Sequence, residues 1–449
     1  MAVPQRKSSP RRETRRPSGA RAVALAALAR VLEDSAPLEA ALESAAGHAA
    51  CDPRDRAFAR LLAATVLRRL GEIEAVTARC VERPLPGRAG TARRILALGI
   101  AQILFLGTPA HAAVATAVEL AGAAGAARHK GLINAVLRRV AREGRALLDG
   151  LDAPRIDAPD WLWDSWVEAY GAETARRMAE AHLAEPPLDL TLRDPATAEH
   201  WAGALAATAL PTGTLRRAGR GAIPDLPGYA EGAWWVQDAA AALPARLFRA
   251  PAGARILDLC AAPGGKTLQL AAAGAAVTAL DISPERLALL EANLARTGLA
   301  AELVAADGRS FAADRPFDGV LIDAPCSSTG TLRRHPDIAR TKGPADLARL
   351  VPLQEALLAN GAGLVRPGGT LIYAVCSLAP AEGEGRIEAF LATHPDFAPD
   401  PIAPAELGGL AELVAEAGAL RTFPFHLGDR GGMDGFYAVR LRRSGEAAR

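Results

Sequence analysis

Two thiols stand at matched places. Cys326 follows the apolar run Phe317-Asp-Gly-Val-Leu-Ile-Asp323 in an Asp-Ala-Pro-Cys turn, and Cys376 follows Gly369-Thr-Leu-Ile-Tyr-Ala-Val375, directly before Ser377. A thiolate is a covalent nucleophile whose reactivity depends on its surroundings, so cysteines at the mouth of a crevice differ in kind from buried structural ones. Short apolar runs without polar alternation read as buried parallel strands. Neighbouring strands lie about 4.8 Å apart, so both sulfurs are expected across one rim. Cys51 and Cys80 sit in helical surroundings and read as structural.

The same rim carries three earlier strand ends. Arg255-Ile-Leu-Asp-Leu-Cys-Ala-Ala-Pro-Gly-Gly-Lys-Thr267 is an apolar strand stopped by a glycine-rich turn and followed by helical spacing. Its glycines let a ligand approach the backbone, and the N–H groups opening the helix suit a carboxylate; a tight strand-to-helix turn also needs glycine for structural reasons alone. Runs ending in Asp281 and Asp307 come next. Doubly wound folds place a ribose-binding acid at the first position, and the second sits where an adenine amino group could be held. Capping of the following helix or turn is the other use for each acid. Lys266 either meets an anionic group or is a plain exposed lysine of the first helical turn.

Leu259-Cys-Ala-Ala-Pro-Gly-Gly-Lys266, Asp323-Ala-Pro-Cys-Ser-Ser-Thr-Gly330 and Tyr373-Ala-Val-Cys-Ser377 resemble the motifs of the RNA cytosine-C5 methyltransferases, within them the RsmB (Sun/Fmu) family of bacterial 16S ribosomal RNA enzymes. The likeness covers nearly the whole chain beyond its first twenty or so residues. It implies an α/β methyltransferase domain dependent on S-adenosylmethionine (SAM), with a Rossmann-like seven-stranded sheet and an antiparallel edge hairpin formed by 422–426 and 435–441. An all-α NusB-like domain and a small connecting α/β subdomain precede it. It also implies Cys376 as the nucleophile on cytosine C6, Cys326 as the thiol that releases the adduct, and Asp323 on the base's N3 and amino edge. Cys260, Ala261, Ala262, Pro263, Gly264, Gly265, Lys266, Asp281, Asp307 and Asp323 become the cofactor-binding set. C5 of cytosine is a poor nucleophile, and adding a thiolate to C6 is what makes it attack a methyl group. The target base must leave its stack, so looped or opened RNA is the expected substrate. The family has Thr before the nucleophile's Cys-Ser; this chain has Val375.

Composition bounds the rest. A chain of 449 residues exceeds what one core serves, and a net charge of +2 makes any RNA surface local. Five cysteines, an odd number without metal-ligand spacing, fit a reducing cytoplasm and no metal. No apolar stretch reaches membrane length. Residues 1–21 form a basic, proline-bearing tail expected to be disordered, either solubilising or attracted to phosphates. Residues 22–150 are helical throughout, with Leu132, Val136 and Val140 expected on one face of the last helix and Arg138 and Arg142 on another. Pro109-Ala-His-Ala-Ala-Val and Lys130-Gly-Leu-Ile-Asn-Ala-Val-Leu-Arg-Arg resemble the NusB-like domain, which makes Arg128, Lys130, Arg138 and Arg142 RNA contacts by resemblance, a solvated charged face being the alternative. Residues 151–231 read as the connector, its tryptophans 161, 163 and 166 as packing, and 232–443 as the catalytic domain. Arg333 and Arg334 after the Cys326 turn either grip the RNA backbone or lie in a solvated loop. The resemblance implies 16S ribosomal RNA, free or partly assembled, as partner of a monomeric enzyme. Another RNA such as tRNA, and a non-catalytic RNA-binding or assembly protein, are the alternatives. A methyltransferase acting on an exocyclic amine is disfavoured, because a thiol stands where that chemistry wants a carbonyl and an aromatic clamp.

Overall fold

The computed structural model describes residues 19–48, 51–219, 221–249 and 251–445, so most of the basic tail lies outside the described residues. The chain divides into two compact units, Met1–Asp157 and Ala158–Arg449.

The first unit is helical. Helices Ala20–Asp34, Leu38–His48, Pro53–Arg68, Leu70–Cys80, Gly90–Leu104, Ala110–Ala123 and Lys130–Glu143 follow one another, then a short turn of helix, Ala153–Asp157. Local chemistry starts them where it should: Asp52 accepts the Asp55 N–H at 2.7 Å and Pro53 occupies the first helical position. Their apolar stripes close one core of alanine, leucine, isoleucine and valine. In Lys130–Glu143 the buried stripe is Ile133, Val136, Leu137 and Val140, while Leu132 is exposed. The expected placement of Leu132 on the core face is therefore corrected: Ile133, one residue on, fills the core at that level.

The second unit holds two sheets. Strands β1 (Leu188–Leu192), β2 (Ala207–Ala209), β3 (Leu215–Arg217) and β4 (Trp234–Val236) form a small antiparallel sheet in the order β2-β3-β1-β4. The larger sheet consists of β5 (Arg255–Leu259), β6 (Ala276–Asp281), β7 (Glu302–Ala305), β8 (Phe317–Asp323), β9 (Val365–Val375), β10 (Phe397–Pro399), β11 (Leu420–Thr422) and β12 (Phe436–Arg443). Its order is β10-β12-β9-β8-β5-β6-β7, with β11 also pairing β12. The strands from β5 to β9 are parallel, and β12 runs antiparallel to β9.

β11 and β12 pair as an antiparallel hairpin, but its first strand is 420–422 and not the expected 422–426, since Pro424 has no N–H to give a ladder. The sheet has eight strands where seven were expected, because Phe397-Ala-Pro399 adds β10 beyond β12. Three residues closed by a proline carry no readable strand period.

Chain order reverses between β5 and β8, and a doubly wound sheet opens its crevice at such a point, outside the strand ends. The helix that begins at Gly265 starts there. The kinked helix Asp160–His182 packs Leu162, Trp166 and Met178 against Leu332, Ile338 and Leu378, while Trp161 and Trp163 are half-buried around them. The Tyr170 hydroxyl donates to the Leu378 carbonyl at 2.8 Å, two residues past Cys376.

Candidate active site

The glycine-rich turn is built for close approach. Gly264 has φ 106°, and a Cβ there would lie 2.1 Å from Leu290 Cδ1, so only glycine fits. The helix Gly265–Ala272 follows, and its first N–H groups have no acceptor within the helix. Behind the turn, Thr267 Oγ1 donates at 2.6 Å to Asp258, a fully buried acid of β5 that burial raises to about 7. Burial likewise pushes the Cys260 thiol up to about 12, which leaves it protonated at neutral pH. Ala261 and Ala262 are buried, whereas Pro263 and Gly265 line a cavity of about 300 Å³ with Trp235 and Arg296.

The acids at the rim are engaged. Asp281 is 1 % exposed; its oxygens accept the N–H groups of Ala262 (3.1 Å) and Ser283 (3.0 Å) and pair with Arg286, which also donates to the Ala262 carbonyl. In this state Asp281 braces the turn. Ile282 beside it is 67 % exposed, an apolar surface open at the rim. Asp307 accepts from the Arg309 guanidinium and backbone, which hold it down at about 2. Lys266 is not the exposed lysine of one reading: it is 7 % exposed and its Nζ lies 2.7 Å from Asp323 Oδ2.

The two thiols meet. Asp323 and Ala374 are register partners on adjacent parallel strands, so the turns after them run side by side. Cys326 Sγ and Cys376 Sγ are 3.4 Å apart, with Ser328 Oγ 3.5 Å from Cys376 Sγ. Gly330 secures the crossing: its N–H donates to the Cys376 carbonyl at 3.0 Å, and a Cβ on it would lie 1.9 Å from the Gly435 carbonyl oxygen. The pair is electrostatically asymmetric. The hydrogen bond with Cys326 draws Cys376 below the usual thiol range against its desolvation, helped by Ser328 and Lys266. Cys326, its half-buried partner in that bond, is raised well above it. Of the two, Cys376 is the more acidic thiol and Cys326 the less acidic. Val375 faces elsewhere, fully buried in an apolar layer with Val320, Ile322, Leu371 and Tyr373.

Two expected RNA contacts are corrected. Arg333 is 2 % exposed, donating to the Gly431 carbonyl and paired with Asp238 at 3.3 Å. Arg334, a third exposed, forks onto the buried Asp434. These carboxylates, about a hundred residues away in sequence, neutralise the arginines internally. Arg128, Lys130, Arg138 and Arg142 are exposed in the first unit. Sequence reasoning missed Ser327, Ser377, Gln354 and Glu382, which knit the two cysteine turns together; an acid in Ala-Glu-Gly-Glu-Gly carries no spacing signal.

Known proteins resemble this chain in sequence and in fold. The family model for the 16S rRNA methyltransferase RsmB/F matches residues 247–442, and that of the NusB family matches 18–142. Ribosomal RNA small subunit methyltransferase B of Klebsiella pneumoniae subsp. pneumoniae is 38% identical over 358 residues, 76% of this chain and 83% of that one. The protein of the same name from Pseudomonas putida is 36% identical over 439 residues, 94% of this chain and 98% of its own. Among solved structures, that of PH0851 superposes with a TM-score of 0.72 at 21% identity, covering 94% of this chain and 99% of its own. NSun6 from Pyrococcus horikoshii with SFG gives 0.54 at 17% identity over 64% of this chain and 99% of its own. These two likenesses bear on the fold. With a glycine-rich turn and paired thiols at the crevice, and relatives matching across both units, the chain belongs to the RsmB/F family of 16S rRNA methyltransferases.

Proposed function

We propose that the protein methylates C5 of a cytosine in 16S ribosomal RNA through a covalent bond between Cys376 and C6 of the base. The observation that carries this reading is the 3.4 Å separation of two sulfurs, one lowered and one raised in acidity range, at the crevice of a methyltransferase sheet.

The methyl donor is SAM, and the turn fits it. The free N–H groups of the helix at Gly265 suit its carboxylate, and the exposed Ile282 offers an apolar surface to its base. Asp281 would hold the ribose hydroxyls, and Asp307 would hold the adenine amino group. Bound there, SAM supplies an electrophilic methyl group.

The chain's own residues do the rest. Cys376 thiolate adds to C6 and pushes electron density onto C5. Asp323, aligned by Lys266 through Oδ2, accepts the cytosine amino N–H through its other oxygen. After transfer a water from the open rim takes the C5 proton, the electron pair left on C5 re-forms the C5–C6 double bond, and Cys376 leaves as a thiolate that the hydrogen bond with Cys326 stabilises. The exposed basic residues Arg128, Lys130, Arg138 and Arg142 of the helical unit attract the RNA backbone. The described cysteines are all free thiols, as this chemistry in a reducing cytoplasm requires. We assign the enzyme to that compartment as a monomer without a resident metal. No helix among the described residues is long and apolar enough to cross a membrane.

Adduct trapping tests the reading. With SAM and 16S RNA, a Cys326→Ala variant should remain attached to RNA through denaturing electrophoresis, and Cys376→Ala should not. Normal methylation by both variants would overturn it. Bisulfite sequencing of 16S RNA from cells lacking the gene locates the cytosine.

A further inference from the structure

Glu382 carries a fully buried carboxylate that touches neither crevice nor substrate in the scheme above. It ends the single turn Pro380–Glu382, six residues after Cys376. Its Oε1 accepts the Ser327 N–H at 2.9 Å and Gln354 Nε2 at 3.0 Å. Its Oε2 accepts the hydroxyls of Ser327 and Ser377, both at 2.5 Å. Ser327 is the neighbour of Cys326 and Ser377 the neighbour of Cys376. The same Gln354 nitrogen also donates to the carbonyl of Pro325, on the other side of Cys326, at 2.9 Å. The Tyr373 hydroxyl donates to the Glu382 carbonyl at 2.7 Å and so ties the turn to β9.

An ionised carboxylate is unfavourable inside a protein unless donors saturate it, and apolar side chains of similar volume would hold two turns together as well. Charge-assisted hydrogen bonds differ from apolar packing in direction: each fixes a distance and an angle. Here all of them converge on the residues flanking the two thiols.

We propose that Glu382 is a positioning residue whose carboxylate clamps Ser327 and Ser377 and thereby sets the separation of Cys326 and Cys376. The inference rests on the reading that both thiols take part in the reaction. Other ties between the turns, from Gly330 N–H to the Cys376 carbonyl and from Leu378 N–H to Thr329 Oγ1, do not involve Glu382. A glutamine there has one acceptor oxygen and turns an NH2 group toward donors, so the turns stay near each other with the sulfurs out of line.

Dibromobimane, a two-armed alkylating reagent, reads that geometry without RNA. Each thiolate forms a C–S bond and expels one bromide, and peptide mapping identifies the bridge. In the full-length wild-type protein it bridges Cys326 to Cys376. In Glu382→Gln, bridging is expected to slow roughly 10-fold while single labelling of Cys376 by monobromobimane holds within about twofold, and kcat falls roughly 100-fold with the SAM KM unchanged. Wild-type bridging in Glu382→Gln overturns the proposal, whether or not kcat falls. Should Glu382→Gln not fold, Ser377→Ala, which deletes one donor, is expected to slow bridging in the same direction, and unchanged bridging there overturns it too. Failure of the adduct trap would instead sink the covalent mechanism and leave the bridging result standing.

Discussion

Lys266 Nζ lies 2.7 Å from Asp323 Oδ2, and the ring of Phe436, on the strand flanking β9, covers the same ammonium at 5.1 Å. A lysine from the glycine-rich turn thus fixes the carboxylate that leads into the Cys326 turn, and one ion pair joins the two turns.

Lys266→Met keeps the stem and deletes the charge. It is expected to lower kcat/KM for RNA roughly 100-fold through misplacement of Asp323. The lost partner of a largely buried lysine costs about 2 kcal/mol, less than for a wholly buried pair because Asp323 is partly exposed. Methyl incorporation and urea unfolding measure the two effects. An unchanged rate would show that Asp323 needs no alignment.

Thiol acidity gives a pH signature. Adduct formation needs the Cys376 thiolate, so its rate rises with pH and levels off below the ordinary thiol value of 9.0, since the Cys326 hydrogen bond favours the thiolate. Cys326→Ala removes that donor, and the rising limb should move to higher pH. The reading is the rate of covalent RNA capture against pH in the two proteins. A limb that stays put would mean that Cys326 does not set the acidity of its neighbour.

Basic residues should sort into two classes. Arg333→Ala strands the buried carboxylate of Asp238 and is expected to destabilise the fold by about 3–5 kcal/mol. Each alanine at Arg128, Lys130, Arg138 or Arg142 should leave stability alone and reduce the salt dependence of RNA binding by about one counterion. Thermal melts and RNA titrations at several salt concentrations separate the classes.

His426 predicts a loss of stability in acid. Burial lowers its pKa to about 4, and its Nδ1 accepts the Phe423 N–H at 3.1 Å, which requires the neutral ring. The unfolded chain binds the proton first, so stability is full above the ordinary value of 6.5 and declines as pH falls toward 4, then levels. The loss is about 2–3 kcal/mol. Melting temperature against pH should show this slope in the wild type and a flatter one in His426→Asn.

Legibility tracked the range over which each signal acts. The order of β5 to β9 and the meeting of Cys326 with Cys376 were readable, because apolar runs and turn residues declare themselves locally and adjacent parallel strands deliver their C-terminal turns to one rim. Burial of Arg333 was not, since its partners Asp238 and Asp434 are far off in the chain and an arginine in a loop looks solvated until they arrive. For Lys266 the sequence left an anionic partner and an exposed side chain both open, and only the fold brings Asp323 and Phe436 to it. The strands β2, β3, β10 and β11 are three residues long, too short to show an alternation. Val375 shows how a departure from the family pattern can be absorbed: its side chain joins the apolar layer instead of facing Cys376.

β12 is the last strand in chain order, yet it lies inside the sheet, between β9 and β10. Among the described residues β10 pairs only with β12, and the Gly330 carbonyl accepts the N–H of Gly435, the residue just before β12, at 2.8 Å. During translation both thiols and the glycine-rich turn are therefore made long before the strand that seats them. The two cysteine turns leave the ribosome before residues 436–443, which insert between β9 and β10 to complete the sheet behind them.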